Sequence, residues 1–578
     1  MNWKCPGSPS QIVVDNILVT KARDIAEHMN NFFIDKVNRI RSCMRNVPWD
    51  LQACSAIMEG KNCKLGLSHV SVKKVEKLIR SLSCSTSLAV DELDNFSVKL
   101  SADIIAKPLH HIISLSIMQQ SFPSQWKYAK VLPLHKKDSM LECKNYRPVA
   151  ILSPLSKVLE KLVYEQLYGY LSRNSILHPN THGYRRNRST LTALLQLYDR
   201  WVHAASKGKV SGAVLLDLSA AFDLVPPDIL QRKLEIYGLE ADFCNWIQSY
   251  LSDRFQCVWV DHTMSSLLHS EVGVPQGSNL GPLFFLLYVN DLPFTMECDM
   301  EQYADDSTLS ATGSTIPEII DKLTSNCQVV SNWMMKNQLK LNAEKTHVMT
   351  LGTTRRLQIP GNKVTVTMDN ITLEEDPKKS EVLLGCQIQA NLLWHQQVRM
   401  LKTKLKKRLA GLAHIKFVLP FIKRKEVCEA MFNSVLVYCL PLFGGCDGQE
   451  VKDLQVLQNK AARIVNHSPL RERRDKMYDD LGWLTVRQLI LYHTVLTVYR
   501  IRHSQEPEYL ASILSRDNPY GKIIITQTNL SLHRKSFGYR GVSNWNTLPQ
   551  QIRQIATIGA FKRELRTWIK REVPRFVN

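Results

Sequence analysis

Gln302-Tyr303-Ala304-Asp305-Asp306-Ser307 is the stretch whose reading decides the fold. Two adjacent carboxylates follow an aromatic residue, between two short runs that suit strands. Aspartate is depleted inside strands and favoured in turns, which predicts a hairpin with the acid pair at its tip. The flanking strand signal is thin, because Cys298, Met300 and Gln302 alternate poorly with the acidic residues between them. Paired carboxylates suit Mg²⁺, a hard cation held by one or two carboxylates together with substrate phosphates. A two-metal site for phosphoryl transfer needs a further carboxylate from elsewhere in the chain. Taken alone, an Asp-Asp pair is more often a solvated turn. The rest of the sequence has to change those odds.

The third carboxylate is at Asp217. Ala213-Val214-Leu215-Leu216-Asp217-Leu218 is a continuous apolar run interrupted by a single acid, the pattern of a buried strand. An acid at the end of such a strand is costly unless it is paired or bound to metal. Phe222 and Asp223 follow closely. Gly273-Val274-Pro275-Gln276-Gly277-Ser278 is a loop leading into an apolar helix from Leu280 to Val289, and Gly277 allows close backbone approach to a ligand. Tyr184-Arg185-Arg186-Asn187-Arg188 crowds three cations just before a helix over Leu191–Ala205. Ser189 or Thr190 is placed to cap that helix, so its N-terminus is a candidate anion site.

Composition narrows the partners. The 578 residues are 44% hydrophobic and 22% charged, ordinary for a globular protein of about three or four domains. The net charge of +21 favours a polyanion, with nucleic acid ahead of a membrane surface. The 14 cysteines form no C-x-x-C pair and read as reduced thiols of an intracellular, nuclear or cytoplasmic protein. Lys4, Pro6, Pro9 and Asp15 stand where a signal peptide needs an apolar run. The window from Leu280 to Leu292 is too short to span a bilayer and holds Asn290 and Asp291. No membrane role is expected.

Helical spacing is read at residues 22–44, 71–82, 102–120, 154–171 and 316–337. Residues 1–60 open on a loop-like stretch. Val131–Leu134 reads as a strand, Asn145-Tyr146-Arg147-Pro148 as a turn, and Val364–Met368 and Glu381–Cys386 as strands. A strand begins near Lys345–Met349. From Arg399 to Lys425 there are ten Lys or Arg and no acid, with Leu401, Leu405, Leu409 and Leu412 on one helical face. That face packs, and the other is left to meet phosphate. The remainder reads as mostly helical, with a turn at Trp545–Pro549 and a closing basic helix.

In order, Trp126–Lys137, Asn145-Tyr146-Arg147-Pro148-Val149, Gly183–Thr190, Asp217–Asp223, Val274–Ser278, Tyr303-Ala304-Asp305-Asp306, Asn342–Thr346 and Leu384-Gly385 resemble the motifs of the reverse transcriptases of non-LTR (LINE-type) retrotransposons. The resemblance extends over roughly residues 20–570 and implies an α+β right-hand polymerase. Its parts would be an N-terminal helical extension (1–100), fingers and palm (101–390), a basic helical thumb (391–447) and a mostly helical C-terminal region (448–578). It implies RNA-directed DNA synthesis, with an RNA template, a DNA primer and deoxynucleoside triphosphates. It also implies two Mg²⁺ ions, or Mn²⁺ in their place, on Asp217, Asp305 and Asp306.

By the same resemblance Phe222 is a steric gate against ribonucleotides, and Gln276 and Gly277 lie along nucleotide and template. Arg147 and Arg185 hold the triphosphate, Lys345 sits near the pyrophosphate, and Leu384-Gly385 grips the primer. Lys402, Lys404, Lys406, Lys407 and Arg408 are the thumb's nucleic-acid contacts. No endonuclease is expected ahead of the polymerase. A catalytically inactive nucleic-acid-binding remnant is the competing reading. An RNA-dependent RNA polymerase is disfavoured by the bulk of Phe222.

Overall fold

The structure is a computed structural model that describes residues 8–45, 47–369, 371–375, 379–469, 471–518, 521–525 and 530–575. Lys4 and Pro6, used in reading the N-terminus, lie outside the described residues. Helices and antiparallel sheets share the chain, which closes in a helical C-terminal region. The chain forms two compact units. One comprises Met1–His178, Asp217–Met296 and Gln328–Glu344; the other comprises Pro179–Leu216, Glu297–Cys327 and Lys345–Asn578.

The first unit is built on a five-stranded sheet in which Tyr128–His135 pairs antiparallel with Tyr146–Ile151 and parallel with Arg254–Val260. The helix Ala22–Ser42 lays Ile25, Ala26, Met29 and Phe33 against Val131, Tyr146, Val258 and Val260 of that sheet. The same unit contains the helix Gly281–Val289, apolar on every side and accordingly buried on every side. Asp291, which interrupts that apolar window, is fully buried. It accepts from Lys233 Nζ at 2.7 Å and from Trp333 Nε1 at 3.1 Å. Among the described residues no helix is long and apolar enough to cross a membrane.

The second unit is built on a four-stranded antiparallel sheet in the order His347–Leu351, Val210–Leu216, Asp306–Gly313, Asp299–Tyr303. Val210–Leu216 has a partner strand on each edge and is covered on both faces, and the covered faces explain its continuous apolar run. The rest of the unit is a helical core, in which His395–Ile415, Gly448–Asn466 and Ile558–Glu572 bury one face each while Thr190–Ser206 and Val486–Ser504 are buried on nearly every side.

Several expectations are corrected. Asn145–Pro148 is not a turn: a short 3₁₀ segment ends at Asn145 and Tyr146–Ile151 is a strand. Pro148 is tolerated because that strand lies at the sheet edge, where a missing N–H costs little. Glu381–Cys386 is not one strand but the bend of a hairpin between Ser380–Leu383 and Cys386–Gln389. Leu384 and Gly385, at φ 46° and 80°, make its two-residue turn. Residues 12–19 are not loop-like. Asp15 and Asn16 take positive φ and join Ile12–Val14 to Ile17–Val19. Trp545 belongs to the helix Phe537–Asn546 rather than to the turn after it.

In the central strand, a Cβ at Gly212 would lie 2.7 Å from both Ile319 Cγ2 and Leu323 Cδ1. Gly212→Val is expected to lower stability by about 1–3 kcal/mol, the usual range for overpacking. An unchanged denaturant midpoint would show that this wall is not closely packed.

Candidate functional site

The acid pair sits on a tight hairpin of the second unit. Tyr303 pairs with Asp306, so the turn residues are Ala304 and Asp305, and Asp306 opens the following strand. The expected tip is thereby shifted by one residue, with Asp305 half-buried and Asp306 exposed. Ala304 holds φ 58°, a left-handed conformation uncommon for a residue with a side chain. A Cβ on Gly183 would collide with the backbone nitrogen of Ala304, so only glycine lets the preceding loop lie this close.

That loop is stitched to the hairpin. Gln302 N–H donates to Asn180 O at 3.1 Å, His182 N–H donates to Gln302 O at 2.8 Å, and Thr181 Oγ1 donates to Gln302 Oε1 at 3.1 Å. It then runs through Tyr184, whose phenol is raised by burial and next by the charge of Asp305. Ser189, not Thr190, caps the helix Thr190–Ser206 in a reciprocal box with Thr192. The three expected cations divide. Arg188 is buried and occupied by Pro179 O and Glu506, Arg185 is half-buried with Nη1 on Thr181 O, and Arg186 is exposed.

The ladder fixes where the central strand ends. Leu216 pairs with Ser307, immediately after Asp306. Asp217 is the next residue of the chain and is half-buried; its carbonyl accepts from Asn342 N–H at 2.8 Å.

In the first unit, Phe222 stacks on Phe285 with centroids 4.4 Å apart, and its carbonyl accepts from Val274 N–H at 2.9 Å. Gln276 Nε2 donates to Asp223 Oδ1 at 2.6 Å, and burial raises that carboxyl. Gly277 takes φ 106°, and a Cβ there would strike Ala150 O. The close approach that glycine permits is therefore to the protein's own strand. Arg147 is exposed on the same strand, opposite Leu134.

Lys345 is exposed at the end of a 3₁₀ turn, Ala343–Lys345. Tyr438 covers the Leu384-Gly385 turn: its hydroxyl donates to Leu384 O at 2.7 Å, and its ring limits the space at Gly385 to 3.3 Å. Lys402 is engaged by Asp453, whereas Lys404, Lys406, Lys407 and Arg408 are exposed.

Behind the hairpin lies a polar network that sequence reasoning missed. Glu301, in the strand that ends at Tyr303, is buried, accepts from Gln196 Nε2 at 2.9 Å and is ion-paired with Arg200 Nη1 at 2.9 Å. Its other oxygen is 3.2 Å from His182 Nε2. Burial outweighs the Arg200 charge and pushes the Glu301 carboxyl up to about 8. Burial and the charges of Arg188, Arg185 and Arg200 hold His182 neutral. The hydrogen bonds agree. Thr192 Oγ1 donates to Ser189 O, so it accepts from Ser189 N–H and from His182 Nδ1–H. Nε2 of the neutral ring is then an acceptor, and its contact with Glu301 uses a carboxyl proton.

Comparison with known proteins was consistent over most of the chain. Residues 134–417 match the family described as "Reverse transcriptase (RNA-dependent DNA polymerase)". The chain is 27% identical over 458 residues to the "Probable RNA-directed DNA polymerase from transposon BS" of Drosophila melanogaster, a match covering 76% of this chain and 49% of that protein. It is 24% identical over 444 residues to the "Probable RNA-directed DNA polymerase from transposon X-element" of the same organism, covering 74% and 48%. To the "RNA-directed DNA polymerase from mobile element jockey" it is 24% identical over 432 residues, covering 72% and 46%. The chain thus spans about half the length of the curated relatives it matches.

Because Glu301 titrates near 8 when folded against an ordinary 4.5, the folded state keeps a proton that the unfolded chain releases. Its contribution to stability is complete below 4.5 and is lost as pH rises to about 8. Glu301→Gln is expected to flatten this decline, measured as the denaturant midpoint of parent and variant across that window. Parallel pH profiles would contradict the raised carboxyl.

Proposed function

This chain belongs to the reverse transcriptase family, and on that premise we propose that it is an RNA-directed DNA polymerase of retrotransposon origin, adding deoxynucleotides to a primer 3′-hydroxyl. The observation that carries this reading is the Leu216–Ser307 pairing, which ends the strand leading to Asp217 level with the strand that Asp306 opens. Asp217, Asp305 and Asp306 are then the carboxylates of one centre. Their oxygen donors fit Mg²⁺, with Mn²⁺ as a substitute, and do not resemble the nitrogen and sulfur sets of zinc. Two such ions would supply charge neutralisation for the attacking hydroxyl and the departing pyrophosphate.

The remaining residues take positioning roles in this proposal. Phe222, fixed by its stack on Phe285, is the wall that excludes a 2′-hydroxyl. Gln276 is held by Asp223 through its side chain and by Ala150 N–H through its carbonyl, so the backbone of Gln276-Gly277 forms a firm bed for nucleotide and template. Arg147 and Arg185 reach the triphosphate, with Lys345 beside the pyrophosphate. Leu384-Gly385, backed by Tyr438, grips the primer. Residues 101–390 would be fingers and palm, and 391–447 the thumb, whose Lys404, Lys406, Lys407 and Arg408 meet backbone phosphates of the RNA–DNA duplex.

The test is primer extension on an RNA template with Mg²⁺ and deoxynucleotides. Asp305→Asn keeps size and polarity while removing one charge. Its rate is expected to fall at least a hundredfold, about 2.7 kcal/mol at 1.36 kcal/mol per factor of ten, with primer–template affinity nearly unchanged. Equal extension by parent and variant would make the acid pair a solvated turn. A parent that binds but never extends would make the protein a nucleic-acid-binding remnant.

A further inference from the structure

Between the helices His395–Ile415 and Phe421–Cys428, the second unit carries an apolar tip that nothing in the polymerase reading uses. Phe417 is 80% exposed, Val418 77%, Ile422 65% and Phe421 40%. Single exposed apolar side chains are ordinary, but four within six residues form a patch that marks an interaction site. The leading ring is held in place. His467 meets Phe417 edge-on with centroids 5.4 Å apart, and its Nε2–H donates to Lys416 O at 2.7 Å. Lys416 Nζ stands 5.1 Å from the Phe417 centroid. The aromatic surface is therefore fixed and open at once, so ordering it on binding costs little.

Charge tells what covers it. The tip closes a run from Arg399 to Lys425 with ten Lys or Arg and no acid. Leu401, Leu405, Leu409 and Leu412 turn inward, leaving Lys404, Lys406, Lys407 and Arg408 outward on the helix that leads to Phe417. The cleft beside Phe421 is lined by His467, Glu472, Lys476 and Asp480, with Lys476 ion-paired to Glu472, so the cations free to meet an anion lie along the helix rather than in the cleft. A polyanion that also presents flat apolar rings matches this arrangement, running along the cationic helix and ending on the aromatic tip.

We propose that this tip is a stacking platform for unpaired nucleobases of a single strand leaving the duplex, with Phe417 under a base, Val418 and Ile422 at its edge, and Lys416 on the adjoining phosphate. The proposal rests on the nucleic-acid reading of the chain but not on its catalysis.

The experiment measures binding of the full chain to a fluorescent single-stranded RNA oligonucleotide and to one of equal length carrying a run of abasic sites. The parent is expected to prefer the base-bearing strand. Phe417→Ala should weaken that strand about tenfold, within the span measured for base–aromatic stacking, and leave the abasic one unchanged. Phe417→Trp should retain the preference. The slope of affinity against salt should not move, since no charge is removed.

Unchanged discrimination in Phe417→Ala overturns the platform. So does a change confined to sedimentation, which would mean a protein interface, or to phosphatidylserine vesicles, which would mean a membrane surface. Primer extension run in parallel separates the two claims. A parent that discriminates bases but extends nothing keeps the platform and loses the polymerase. A parent that extends, with no effect of Phe417→Ala on binding, does the reverse.

Discussion

The antiparallel pairing of Val210–Leu216 with Asp306–Gly313 is the interaction on which the site depends. Strand register is an all-or-none quantity, because a slip of one residue sends every side chain to the opposite face. Here the register is held from both sides. Val210–Leu216 also pairs with His347–Leu351, and it buries Ala213, Val214 and Leu216 in the core. Gly212 lets Ile319 and Leu323 close over the strand. A slip would expose an apolar strand and break two ladders together, so the position at which the chain leaves the sheet into Asp217 is fixed by core packing.

The hairpin is placed by a second constraint, the polar network behind it. Two polar residues of the strand Asp299–Tyr303, Glu301 and Gln302, are buried, which is costly unless each is satisfied. Both bond the segment from Asn180 to Arg200, Glu301 through side chains and Gln302 through backbone and side chain. The loop bearing Tyr184 and Arg185 is thereby tied to the strand that ends at Tyr303. Removing Glu301 outright would leave His182 without its carboxyl partner, while Arg200 keeps Asp299 and Gln196 keeps Asn180.

Much of this was legible in the sequence, for a physical reason in each case. Val214-Leu215-Leu216 is apolar because both faces of its strand are covered, and an acid immediately after such a run is conspicuous. Leu401, Leu405, Leu409 and Leu412 keep helical spacing, and all four are buried. What was not legible depends on partners distant in the chain. Glu301 reads as a solvated acid until His182, 119 residues earlier, is found beside it. Arg188 reads as an anion ligand until Glu506 and Pro179 claim it. Pro148 reads as a turn until its strand proves to be at an edge. The Asp15-Asn16 turn between short apolar runs carries a local hairpin signal, but a faint one, because the strands are only three residues long.

The central claim is that Asp217, Asp305 and Asp306 serve one pair of divalent cations. Replacing Mg²⁺ by Fe²⁺ and adding ascorbate and peroxide releases radicals that cut the backbone beside the bound ion. Peptide mapping is expected to find cuts around Asp217 and around Asp305 in the same sample, both suppressed by excess Mg²⁺ and both lost in Asp305→Asn. Cleavage confined to one of these segments, or placed elsewhere and indifferent to Mg²⁺, would contradict a shared centre.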